Sequence, residues 1–130
     1  MAVLIEYSPL AIYHMVNNNA IPQYTDWTVT ALYTINNGTV VDFSTYTGKL
    51  QVKQSYDGPV LLELNTTNGG IQLTNGAGGT PNITINFLKA LTNVMNVYDG
   101  MIYDLQVTSS TGQINRIMKG QFALDRAVTH

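Results

Sequence analysis

The chain contains no cysteine, which excludes disulfides, thiolate metal sites and thiol catalysis. Charge is scarce too: 11% of its 130 residues are Asp, Glu, Lys or Arg, well below the roughly 25% of ordinary soluble domains. The six cationic side chains, Lys49, Lys53, Lys89, Arg116, Lys119 and Arg126, form no basic run. A duplex-binding face needs several cations together to release phosphate counterions, so nucleic acid is not expected as a partner. Histidine occurs only as His14 and His130, near the two ends, where neither is placed to serve a hydrolytic triad. No apolar stretch approaches the roughly 18–20 residues that span a bilayer, so no membrane association is expected. The opening Met1, Ala2, Val3, Leu4, Ile5, Glu6 lacks the basic start and long apolar core of an export signal, which predicts folding in the cytoplasm.

What is present is a 45% hydrophobic content, enough for one domain with a genuine core and too little chain for two. Asn, Thr, Ser, Gln and Tyr take the surface positions that charges leave open. With a formal charge of only −2, copies of such a protein repel one another weakly. That surface suits a protein that works packed against neighbours, and it equally suits an ordinary β domain.

From Asp26 onward the apolar residues alternate. Trp27, Val29, Ala31, Tyr33 and Ile35 form one face of a strand, and Asn36, Asn37 and Gly38 make a hairpin turn before a return strand over 39–43. Leu50 and Val52 oppose Lys49, Gln51 and Lys53 across the next strand. Further strands are expected over 60–64, 71–74 and 82–87. Helical spacing occurs once, in Leu88, Leu91 and Met95, and predicts one or two turns. Met101, Tyr103, Leu105 and Val107 alternate again, Ser109 to Gly112 turn the chain, and a second strand-like run follows. Turns at this density predict an all-β fold, a single immunoglobulin-like β-sandwich with one short helix.

The segment 1–25 stands apart from the sandwich domain at 26–130. Two short apolar pieces flank Pro9, and Asn17, Asn18, Asn19 and Pro22 close the segment. It reads as an extra pair of edge strands or as an extended arm that adds to a neighbouring subunit, where main-chain hydrogen bonds supply affinity. On the arm reading, Val3, Leu4, Ile5, Tyr7, Ile12 and Tyr13 are the expected subunit contacts.

No catalytic set competes for attention. The acids Glu6, Asp26, Asp42, Asp57, Glu63, Asp99, Asp104 and Asp125 are spread evenly and mostly flank turns, where Asp satisfies local backbone groups. They form no clustered calcium loop, and no metal or cofactor is expected. Gly76, Gly78 and Gly79 lack the lysine of a phosphate-binding loop and precede a strand. Trp27, Tyr33, Phe43, Phe87, Tyr103 and Phe122 read as core. Tyr24, Tyr46, Tyr56 and Tyr98 lie near turns, where they could anchor an interface or stack on a surface glycan.

Several blocks together resemble small virion proteins of tailed bacteriophages, including the N-terminal sandwich domain of upper baseplate proteins. They are Val41-Asp42-Phe43 through Tyr46-Thr47-Gly48 to Val52, then Leu61 to Asn68-Gly69-Gly70-Ile71. The terminal stretch Tyr103-Asp104-Leu105-Gln106-Val107-Thr108, Arg116-Ile117-Met118-Lys119-Gly120 and Val128-Thr129 matches best. The resemblance spans about 26–129 and departs at Ser44-Thr45, where the family has Thr-Gly. It implies a non-enzymatic structural component of the virion, assembled in the host cytoplasm, whose partners are other virion proteins and copies of itself. A tail, baseplate or fibre-adaptor position is expected, with capsid decoration as an alternative and a carbohydrate-binding module as a third.

Overall fold

The computed structural model describes residues 2–6, 10–35 and 38–126, with side chains from residue 10 onward. Two sheets face each other across one core. The first has the order β1 (Ala2–Glu6), β4 (Trp27–Ile35), β9 (Ile83–Phe87), β8 (Ile71–Leu73), with β5 (Thr39–Val40) also paired to β4. The second has the order β2 (Ala11–Ile12), β11 (Ile114–Phe122), β10 (Met101–Thr108), β6 (Thr47–Lys53), β7 (Leu62–Asn65). A small third sheet joins β3 (Ile21–Pro22) to β12 (Leu124–Asp125). This is the all-β sandwich that the alternating pattern predicts.

The period-two rule explains how the core fills. Val29, Ala31 and Tyr33 on β4 and Ile83, Ile85 and Phe87 on β9 are buried on one side. Leu50 and Val52 on β6, Leu62 and Leu64 on β7, and Met101, Tyr103, Leu105 and Val107 on β10 are buried on the other. The Phe87 and Phe122 rings, one from each sheet, lie 5.7 Å apart and join the two layers. Trp27 departs from its expected core role: it begins β4 at the rim of the sandwich and stays 38% exposed. The short helix expected here is a single turn, α1 (Lys89–Thr92). Its ends are tied by the chain before β4, since Asp26 accepts from the Lys89 N–H at 2.8 Å. Buried Gln23 donates to the carbonyls of Thr92 and Met95 at 3.1 and 3.2 Å, pairing groups a helix end leaves open.

The segment 1–25 does not leave the domain in the described residues. β1 runs parallel to β4, β2 parallel to β11 and β3 parallel to β12, so the segment edges both large sheets of its own chain. Among the described residues, the remaining pairings between these strands are antiparallel. In the described residues the segment takes the edge-strand form: the main-chain groups of 2–6 and 11–12 find partners on β4 and β11. Tyr7 and the turn residues Asn36 and Asn37 lie outside the described residues.

Gly120 explains why the segment lies so close to β11. A Cβ at this position would collide with the Tyr13 carbonyl, and Tyr103 donates its hydroxyl to that same carbonyl. The Tyr13 and Met15 N–H groups donate to Lys119 and Gln121 carbonyls at 2.9 and 2.8 Å. Gly120→Ala is expected to push this strip off the sheet. The Tyr13 and Met15 amides should then exchange with solvent at least about tenfold faster while the β10–β6 amides keep their protection. Unchanged exchange at Tyr13 and Met15 would refute the close-approach argument.

Tyr103 also carries a pH signature. Burial, with a smaller push from the nearby Tyr13 phenol, raises its phenol far above the ordinary tyrosine range. The folded value lies above the unfolded one, so the stability it contributes is complete below about pH 10 and is lost as pH rises beyond that. Urea midpoints should fall above pH 10, and Tyr103→Phe should lose a smaller share of its own neutral-pH stability. Parallel declines in the two proteins would remove Tyr103 as a cause.

Candidate functional site

Alternation that buries one side of β6, β10 and β11 exposes the other, and cross-strand register arranges what it exposes. Lys53 pairs with Ile102, and Ile102 with Gln121; Gln51 pairs with Asp104, and Asp104 with Lys119; Lys49 pairs with Gln106, and Gln106 with Arg116. The result is three short rows on the outer face of the second sheet. Asp104 is at the centre, with lysines on one flanking strand and Lys119 and Arg116 on the other.

A bulge makes this possible. Arg116 and Lys119 are three apart, which in a regular strand would send them to opposite faces. The register of β10 and β11 shifts between Leu105 and Gln106, so Leu105 faces Met118 while Gln106 faces Arg116, and Ile117 is the extra residue. Ile117 is buried, and both cations reach the outer face. Cations that form no run in the sequence meet here: four of the chain's six, Lys49, Lys53, Arg116 and Lys119, share this face. The acids that β6, β7, β10 and β11 carry beside them are Asp104 and Glu63.

The face is concave. A groove of about 460 Å³ runs over it, walled by Ile12 and His14 on the β2 side and by Tyr56 beyond the end of β6. Arg116 reaches Asp104 at 3.8 Å, the sole ion pair among the described residues, and both side chains remain partly exposed. Lys53 and Lys119 are thus uncompensated by ion pairs there. Glu63, next along the central row, is held by Gln51 at 2.8 Å and Asn65 at 2.9 Å. Those hydrogen bonds, Gln51's first, lower its carboxyl below the usual range, with Lys49 adding a smaller favourable field. His14 Nδ1 accepts the Gln121 N–H at 3.0 Å, which locks its ring at the rim.

The residues expected as subunit contacts divide three ways. Val3, Leu4 and Ile5 lie on β1, opposite Ala31, Leu32 and Tyr33 of their own chain. Ile12 stands 61% exposed at the groove edge. Tyr13 is half-buried, its phenol raised by desolvation and its carbonyl engaged by Tyr103. Among the turn tyrosines, Tyr56 alone stands clear, 74% exposed. Tyr46 packs edge-on against Phe43 at 5.2 Å, and Arg126 covers the Tyr98 ring at 4.4 Å. Sequence reasoning placed Lys49, Gln51 and Lys53 on one face but missed Asp104, Arg116 and Lys119 beside them. The period of two in β10 exposes Asp104; nothing local marks the bulge.

Among the described residues, no three His, Asp or Glu side chains gather where they could hold a metal ion, and no helix is long and apolar enough to cross a membrane. No protein-family model matches the chain, and none of the curated proteins matches it.

Proposed function

We propose that this protein is a structural, non-enzymatic component of a tailed-phage virion, set in the tail or baseplate as an adaptor and working through subunit contacts. The observation that carries the reading is the terminal hairpin. The run Tyr103-Asp104-Leu105-Gln106-Val107 and Arg116-Ile117-Met118-Lys119-Gly120, which resembles the family's ending, forms β10 and β11 in the middle of the second sheet. Three features support it further. The polar, weakly charged surface presents little long-range repulsion between copies. β1 stands at the edge of its sheet, where a neighbour's strand could be added through main-chain hydrogen bonds. Exposed Ile12 and Val94, 61% and 79% accessible, offer apolar contact area.

Mass spectrometry of purified particles tests the proposal, and absence of the protein from virions sinks it. Copy number separates the two virion positions. A low multiple of the tail's rotational symmetry supports the adaptor. Hundreds of copies overturn it in favour of capsid decoration.

A further inference from the structure

We infer that the groove on the outer face of β6, β10 and β11 is a binding site for a carboxylate-bearing saccharide. The inference does not depend on the virion role.

The groove brings together the three kinds of group that such a ligand engages. Tyr56 presents a ring 74% exposed at one end, an apolar plate with a hydroxyl that suits the C–H face of a sugar ring. Asp104, at the centre of the face, offers carboxylate oxygens that accept hydrogen bonds from sugar hydroxyls, and Arg116 steadies it from 3.8 Å. Lys53 and Lys119 flank it from β6 and β11 with no ion-pair partner among the described residues, free to meet a ligand's carboxylate. Neighbouring strands are separated by about 4.8 Å and Lys53 is one row beyond Lys119, so the two lysines rise from points roughly 12 Å apart with Asp104's strand between them. That spacing lets one ligand present hydroxyls to the centre and its acid group to a rail. A volume of about 460 Å³ is in the range of small-ligand sites.

Charge selects among occupants. On β6, β7, β10 and β11 this face gathers four of the six cations beside the acids Asp104 and Glu63, in a protein whose formal charge is −2. A neutral glycan would leave Lys53 and Lys119 unused. An acidic peptide would use the lysines but has no need of the exposed Tyr56 ring beside a carboxylate acceptor. A sugar that carries an acid uses all of them.

Heteronuclear NMR of the wild-type chain at low ionic strength supplies the test, titrated separately with hexagalacturonate, maltohexaose and hexaglutamate. Hexagalacturonate should shift the amides of Gln51, Ile102, Lys119 and Gln121 in a saturable way, and its binding should weaken several-fold at 0.3 M salt. Maltohexaose and hexaglutamate should each bind at least about tenfold more weakly, since each lacks one class of contact. Tyr56→Ala and Lys119→Gln should each reduce hexagalacturonate affinity about fivefold or more, whereas Lys89→Gln, off this face, should leave it unchanged. Both altered positions are on the surface, and the wild-type shift map stands even if a variant folds poorly. The inference is overturned by no saturable shifts with hexagalacturonate, by equal binding of hexaglutamate, or by a Tyr56→Ala variant of undiminished affinity. Concentration-dependent shifts on this face without ligand also overturn it, because they assign the groove to a second copy of the chain.

Discussion

Asn82→Ala is expected to lower the unfolding free energy by about 3–4 kcal/mol. The side chain is fully buried and fills a gap in the ladder along β4. β9 pairs with β4 from Trp27 to Ala31, and β5 takes up the same edge at Thr34 and Ile35. Tyr33 lies between these two pairings, and its carbonyl accepts the Val41 N–H at 3.4 Å. Asn82 supplies the pairing with its amide: Oδ1 accepts the Tyr33 N–H at 2.8 Å, and Nδ2 donates to the Tyr33 and Val41 carbonyls at 3.0 and 2.8 Å. Alanine removes all three bonds at a place water does not reach, where each lost bond costs about 1 kcal/mol or more. The midpoint of thermal unfolding should fall by about 10–15 °C in a domain of this size. Asn68 is the control. It also makes three side-chain bonds, accepting from Asn65 and Gly70 at 3.0 and 2.9 Å and donating to the Glu63 carbonyl at 3.2 Å, but it is exposed. Asn68→Ala should cost about 1 kcal/mol, because water replaces what is lost. Equal losses in the two variants would falsify the burial argument.

Asn82→Asp sharpens this by changing one atom. The carboxylate keeps an acceptor for Tyr33 but turns its second oxygen toward two carbonyls in a buried site. Burial and those carbonyls both raise its folded pKa above the unfolded value near 3.9. The protonated acid can donate to one carbonyl, so the variant's stability is greatest below the unfolded pKa. It is lost as pH rises through the folded one. Denaturant midpoints for Asn82→Asp should therefore climb toward wild type as pH is lowered from 7 to 4.

The sandwich was legible because alternation is a local property. Met101, Tyr103, Leu105 and Val107 declare their buried face by spacing alone, and so do Leu50 and Val52. Pairing between distant segments leaves no such mark. That β2 edges the second sheet depends on Gly120 making room for the Tyr13 carbonyl, a contact between residues far apart in sequence. Asn82 reads locally as one more polar residue before a strand, and Gln23 as one more near a turn; both are buried staples only because of what the fold brings to them. The groove was half visible. Lys49, Gln51 and Lys53 share a face by simple periodicity, while Arg116 and Lys119 join them only through the bulge at Ile117. A bulge is an answer to pairing across β10, and its own strand carries no glycine or proline at that point to announce it.

Phe122→Ala is expected to be the most damaging single truncation, at about 3–5 kcal/mol. The ring is fully buried where three parts of the molecule meet. It packs 5.7 Å from Phe87 of the opposite sheet and 6.4 Å from Tyr103 of its own, and its backbone bridges to Met15 in the N-terminal segment. Removing it leaves a void that neighbours on rigid strands fill only in part, so the loss combines transfer free energy with cavity cost. Domains are commonly stable by only 5–15 kcal/mol, so the variant should be partly unfolded at 37 °C. Phe122→Leu keeps much of the volume and should lose less than half as much. The damage should also spread in a particular direction. The Ala123 N–H donates to the Met15 carbonyl at 2.9 Å, and Ile21 donates to the Ala123 carbonyl at 3.0 Å. Both amides should exchange faster in Phe122→Leu, while those of β6 facing β7 keep their protection. Phe43→Ala offers the comparison, since that buried ring touches Tyr33 and Tyr46 at the other end of the core. It should destabilise the sandwich and spare the Ala123 and Ile21 amides in mildly destabilising conditions. Equal opening of the N-terminal strip in the two aromatic variants would mean that Phe122 does not hold that strip.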